Sequence, residues 1–181
     1  MNICALLSTR ERLNILKYAI YKNGALTISG TAGELGLSKG LASKYFHILI
    51  KEKILLKSNN KFFVKDNLNT RSLRVLLNLI MLRFEGLFRK YRFVRAAGLY
   101  GSFVKGTNTE DSDIDMWVLI EKVGEERIKK LTNELKRMSE KIKPLYLTAG
   151  KIGILKKEDP VFHSSLVFGS INVCGEGIET V

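Results

Sequence analysis

The spacing of apolar positions along the chain changes several times, and each change marks an element. Over 9–23, Leu13, Leu16, Ala19 and Ile20 recur at helical spacing, and Asn23-Gly24 supplies a stop. Residues 26–28 read as a short strand. Residues 31–38 read as a short helix closed by Gly36, after which Ser38 caps a second helix over 39–53. Leu41, Tyr45, Ile48 and Leu49 form its inner face. The segments 54–57 and 61–64, on either side of Ser58-Asn59-Asn60, predict a hairpin. Helical spacing returns over 69–91 through Leu73, Leu76, Leu77, Ile80, Met81, Phe84, Leu87 and Phe88. Arg89, Lys90 and Arg92 sit where a helix dipole favours cations. That stripe is wide enough either to pack on a following sheet or to carry a homodimer contact.

Further on, 96–100 and 116–120 read as two buried strands. An amphipathic helix is expected over 125–142, with Ile128, Leu131, Leu135 and Met138 inward. A third strand over 144–148, a short helix over 149–157, a helix opened by Asp159-Pro160 and a last strand over 171–175 complete the pattern. The class is α+β, with no internal repeat.

Charge divides the chain. Residues 1–92 hold 17 Lys/Arg against 5 Asp/Glu, whereas 93–181 hold 13 of each, so the formal +12 lies entirely in the first half. A basic half joined to a neutral half implies a nucleic-acid-binding module attached to something else. Helices, a turn and a basic hairpin in that order are the layout of a winged helix-turn-helix over 1–67, and its partner would be double-stranded DNA. The segment 32–49 resembles the helix-turn-helix of prokaryotic transcription regulators. Its candidate DNA contacts are Ser38, Lys39, Ser43, Lys44 and His47, with Lys57 and Lys61 in the wing. Residues 68–92 would form a linking helix, and 93–181 a second domain.

Cys4 and Cys174 lie at opposite ends and His47 and His163 are the only histidines, a set that disfavours a zinc site or an oxidising compartment. The N-terminus is too short and wrongly charged for a signal peptide. The most apolar window, 73–82, is broken by Arg74 and Asn78 and cannot span a bilayer. The expectation is a cytoplasmic protein that does not engage membranes.

The densest chemistry is Gly101-Ser102, ten residues, then Asp113-Ile114-Asp115. A Gly-Ser after a strand lets backbone N–H groups approach a phosphate closely. Two carboxylates two apart on the next strand project from one face. Together they suit a metal–nucleotide site.

This spacing resembles the minimal nucleotidyltransferases of the DNA polymerase beta superfamily, whose signature is Gly-Ser, a spacer and Asp-x-Asp. Lys105-Gly106 stands where that family often has Arg-Gly. The resemblance implies that Asp113 and Asp115 are catalytic and hold Mg²⁺ or Mn²⁺. Gly101 and Ser102 would bind the β- and γ-phosphates of a nucleoside triphosphate. Lys105 would add a positive charge nearby or stand as a solvated lysine. Asp111 is expected to cap a turn and Glu110 to face solvent. Trp117 and Phe103 read as core, with stacking on a base the other role for Phe103. His163 reads as a helix-surface residue. Active relatives carry a third carboxylate on the next strand, and 143–148 contains no acid. Glu140 and Glu121 are poorly placed to replace it. Leu145 and Tyr146 are the positions where a restored acid would face the pair, and alternation alone does not choose between them.

The implied activity is transfer of a nucleoside monophosphate to a nucleic-acid, protein or small-molecule hydroxyl. The family includes antitoxins that adenylylate a partner toxin, so a toxin-like protein partner is one candidate. The rival is a non-enzymatic transcription regulator with a degenerate nucleotide-sensing domain.

Overall fold

A computed structural model describes residues 1–82, 84 and 86–178. It divides into two compact units: Met1–Leu77 with Gly106–Asp111, and Asn78–Lys105 with Ser112–Val181. Among the described residues, no helix is long and apolar enough to cross a membrane.

In the first unit, α1 (Ile3–Leu7), α2 (Arg10–Ala19), α3 (Ile28–Glu34) and α4 (Lys39–Lys51) precede a hairpin of β1 (Leu55–Ser58) and β2 (Lys61–Val64). Thr9, Thr27 and Ser38 start α2, α3 and α4 by accepting bonds from the N–H groups of Arg12, Gly30 and Leu41 at 3.3, 3.0 and 3.2 Å. The cap at Thr27 corrects two expectations. Residues 26–28 are not a strand, because Leu26 only bridges Phe62, and α3 begins at Ile28 rather than 31. The helices expected over 9–23 and 39–53 end at Ala19 and Lys51, and Lys53 turns the chain at φ +60°. The hairpin pairs Leu55 with Val64 and Ser58 with Lys61. Asn59 and Asn60, at φ +47° and +59°, make the two-residue turn that suits the twist of such a hairpin. Leu16, Tyr45, Phe46, Leu49 and Phe62 share the core, with Phe46 and Phe62 edge to face at 4.8 Å. On the inner face of α4 the fully buried residues are Ala42, Tyr45, Phe46 and Leu49, while Leu41 and Ile48 are only half-buried.

The helix expected over 69–91 is shorter. α5 spans Leu68–Met81, and a 3₁₀ turn at Phe88–Lys90 follows Gly86, whose φ is +78°. Phe84, Leu87 and Phe88 keep helical spacing, yet they bury in the core of the second unit. Arg89 and Lys90 therefore stand in a 3₁₀ turn, not at a long helix's end. Arg83 and Glu85 lie outside the described residues. Arg74, 6% exposed, donates through Nε and Nη2 to the Ile20 carbonyl at 2.9 and 2.7 Å, closing the end of α2.

The second unit carries β3 (Val94–Leu99), α6 (Ser102–Lys105), β4 (Ile114–Ile120), α7 (Glu125–Met138), β5 (Ile142–Leu147), α8 (Ala149–Glu158), α9 (Pro160–Phe168) and β6 (Ile171–Cys174). The sheet runs β5-β4-β3-β6, with β4 antiparallel to β3 and parallel to β5. Ile142 is in β5 rather than in the preceding helix, because Ser139 is already extended and ends α7. Met116 and Val118 pack with Leu131 and Leu135 of α7. Trp117 and Leu119 pack on the other face with Ile152 of α8 and Leu166 of α9. Asp159 caps α9 through Phe162 N–H at 2.9 Å, with Pro160 in the first turn.

Gly98 on β3 faces Trp117 so closely that a Cβ would lie 2.5 Å from the indole. Trp117 is fully buried, and its Nε1–H donates to Ser170 Oγ at 3.0 Å. Gly98→Ala is therefore expected to destabilise the second unit by about 1–3 kcal/mol through overpacking. A thermal melt measures it, and an unchanged midpoint would show that the ring can retreat.

Candidate active site

β3 ends at Leu99, and Tyr100 N–H donates to the Asp115 carbonyl at 3.0 Å, carrying the ladder one residue further. Gly101 then turns at φ +73°, and α6 starts at Ser102. A Cβ on Gly101 would lie 2.5 Å from Asp115 Oδ2. The Gly101 backbone thus lies directly against the Asp115 carboxylate, an approach open only to glycine. Two segments fourteen positions apart in sequence meet in one small space.

Asp115 is half-buried in β4, on the face that also carries Trp117 and Leu119. Asp113 sits one residue before β4 begins and is exposed. The expectation that both aspartates project from the strand is therefore met by Asp115 alone. Their charges still interact. Burial raises the Asp115 carboxyl above its ordinary value, and the Asp113 charge raises it further.

The parallel register sets Asp115 beside Lys143 on β5. Lys143 Nζ lies 3.9 Å from Asp113 Oδ1. A cation therefore stands beside the two aspartates at the start of β5. The same register places Leu145 on the Asp115 face, whereas the Tyr146 hydroxyl meets Thr132 of α7 at 2.9 Å on the opposite face. Among the described residues, no group of three or more His, Cys, Asp or Glu side chains could hold a metal. The two aspartates offer hard oxygen donors of the kind a divalent cation takes, and burial with the neighbouring Asp113 charge makes the Asp115 anion costly.

Ser102 is half-buried at the start of α6 and Lys105 is exposed at its end. Phe103 is 9% exposed and belongs to the core. Tyr100 packs edge-on against Phe162 of α9 at 6.0 Å, and burial followed by the Asp115 charge raises its phenol. Glu110 does not simply face solvent: it pairs with Lys22 in the first unit, and its N–H donates to the Tyr21 carbonyl at 2.8 Å. Asp111 is also engaged there, accepting from Asn23 Nδ2 at 2.8 Å. Sequence reasoning passed over Tyr100 and Lys143, the latter because its place depends on strand register.

The raised Asp115 carboxyl carries a stability consequence. The fold favours the protonated form, so its contribution is fully present below the ordinary 3.8 and is lost as pH rises through the higher folded value. Without divalent ions, Asp115→Asn should melt above the unsubstituted chain near neutral pH. The gap should close as pH falls below that ordinary value. Melting curves across that range check it, and a variant that melts lower at neutral pH would contradict it.

In the first unit, Ser38, Lys39, Ser43, Lys44 and His47 all lie on α4 or at its cap. The Ser38 hydroxyl is engaged in that cap. Lys39, Lys44 and His47 are exposed, and His47 Nδ1 lies 2.8 Å from the half-buried Ser43's carbonyl. Lys57 and Lys61 are exposed on the hairpin, with the Lys57 ammonium 6.0 Å from the Phe62 ring centre.

Residues 84–167 match the family described as Polymerase beta, Nucleotidyltransferase. The matched stretch takes in the Gly101 turn, both aspartates and Lys143. No curated protein matches the chain. Among solved structures, the chain is similar to one of a tri-AMPylated HEPN toxin from Shewanella oneidensis in complex with MNT antitoxin. Identity there is 16%, the TM-score is 0.31, and the alignment covers 59% of this chain and 73% of that one.

Proposed function

We propose that the nucleotidyltransferase domain binds a metal–nucleoside triphosphate and transfers its nucleoside monophosphate to an acceptor hydroxyl. The observation that carries this reading is the Gly101 backbone set against the Asp115 carboxylate inside the matched family region. Asp113 and Asp115 would hold Mg²⁺ or Mn²⁺. When bound, that ion neutralises charge on the α-phosphate and the leaving pyrophosphate. Gly101 N–H and the Ser102 hydroxyl bind the β- and γ-phosphates, and Lys105 adds positive charge. The acceptor oxygen forms a bond to the α-phosphorus as its proton passes to solvent water, the bond from that phosphorus to the bridging oxygen breaks, and pyrophosphate leaves with that oxygen. The first unit, with its helices, hairpin and basic α4, acts as a winged helix-turn-helix on duplex DNA.

A specific observation favours a second reading. Among the described residues no third carboxylate joins Asp113 and Asp115 to take the acceptor's proton, and Lys143 stands beside them instead. On this reading the domain senses nucleotide within a DNA-binding regulator and does not catalyse.

Incubation with labelled ATP, CTP, GTP and UTP and Mg²⁺, with and without cell extract, separates the two. Label moved onto a macromolecule or small hydroxyl compound supports transfer. Binding without transfer supports the sensor, and no binding of any triphosphate removes both.

A further inference from the structure

The site hangs on an element that cannot hold its own shape. α6 has four residues, and its closing bond, Lys105 N–H to the Gly101 carbonyl, is long at 3.3 Å. One helical turn in isolation is unstable, because it fixes several residues for one hydrogen bond. Its terminal carbonyls also lack intrahelical partners. The direction of the Ser102 hydroxyl must therefore be set from outside.

Asn78 supplies that support. It sits on α5 next to Leu77, one turn after the buried Arg74, and is 2% exposed. Its Nδ2 donates to the Phe103 carbonyl, in the middle of α6, at 2.7 Å. A buried amide is costly unless hydrogen-bonded. One turn earlier on α5, Arg74 Nη1 donates at 3.3 Å to the carbonyl of Gly106, the residue after α6. At its other end α6 is fixed by Gly101 against Asp115.

We infer that Asn78 is a positioning residue for the triphosphate: its buried amide orients α6, and through α6 the Gly101 N–H and Ser102 hydroxyl. The inference rests on the nucleotide-site reading above. It adds a residue outside the Gly-Ser and Asp-x-Asp segments, and makes that site depend on α5.

The test uses the full chain with Asn78→Leu and Asn78→Asp. The second keeps the shape of the side chain but removes the donor when ionised, and serves if the first does not fold. Hydrogen exchange in the nucleotide-free protein is read first. Amides of 102–106 should exchange about tenfold faster, the effect of losing one buried hydrogen bond, while those of β4 and α7 hold their rates. Unchanged exchange at 102–106 would overturn the inference whatever the site binds. Calorimetry with Mg–ATP is read second, expecting affinity about tenfold weaker in both variants with duplex-DNA affinity unchanged. Faster exchange with unchanged triphosphate affinity would also overturn the inference while leaving the site reading intact. Absence of triphosphate binding by the unsubstituted chain would remove the site reading and the inference with it.

Discussion

Lys143→Asp is expected to raise nucleotidyl transfer by about 10²–10⁴-fold, the usual worth of a placed general base. The register puts residue 143 beside Asp115, and the present lysine already reaches Asp113 at 3.9 Å. An aspartate there would complete three carboxylates at the start of β4 and β5, able to share a divalent ion and take the acceptor's proton. Leu145→Asp lies on the same face but one strand period further along, beside Trp117, and should give less. Tyr146→Asp would enter the α7 face and should give nothing, at the cost of the Thr132 bond. Transfer rates with labelled triphosphate measure all three. Rapid transfer by the unsubstituted chain that Lys143→Asp reduces would show that the lysine itself serves the reaction.

The second large effect concerns salt. The excess positive charge within 1–92 predicts duplex binding dominated by phosphate contacts. If 6–10 phosphates are engaged, affinity should fall about 10³–10⁵-fold between roughly 50 and 200 mM salt. Lys39 and Lys44 are exposed on the α4 helix, so neutralising both should lower the salt slope by about two. Replacing Lys57 and Lys61 on the hairpin should weaken binding to all sequences alike, since phosphate contacts position rather than specify. Titrations at several salt concentrations read these slopes. No duplex binding by the full chain at low salt would end the DNA-binding proposal.

Local signals were legible where one residue decides the outcome. Ser38 announced the start of α4, and Asn59-Asn60 announced the hairpin turn, because a cap hydroxyl and a left-handed backbone are local matters. The end of α5 was hidden. Phe84, Leu87 and Phe88 keep helical spacing, and spacing cannot show that these residues pack in another core around the turn at Gly86. The helix α1 was overlooked because only Leu6 of its five residues is buried. At the site, Gly101 and Asp115 were readable as a pair because their chemistry requires those residue types. Lys143 was not, since its place follows from parallel register between strands joined through α7. Asn78 looked like a flaw in an apolar run, and the Phe103 carbonyl beside it gives an amide there a partner. Glu110 and Asp111 read as loop residues because their partners, Lys22 and Asn23, lie far away in sequence.

On the proposed reading Asp115, set against Gly101, and the neighbouring Asp113 make a divalent-metal nucleotide site. Titration calorimetry of ATP into the full chain, with Mg²⁺ and with chelator, compared with the Asp113→Asn/Asp115→Asn variant, tests it most directly. The unsubstituted chain should bind only with the ion and the variant not at all, with both proteins folded by circular dichroism. Equal affinity in the variant, or binding indifferent to the ion, would contradict it.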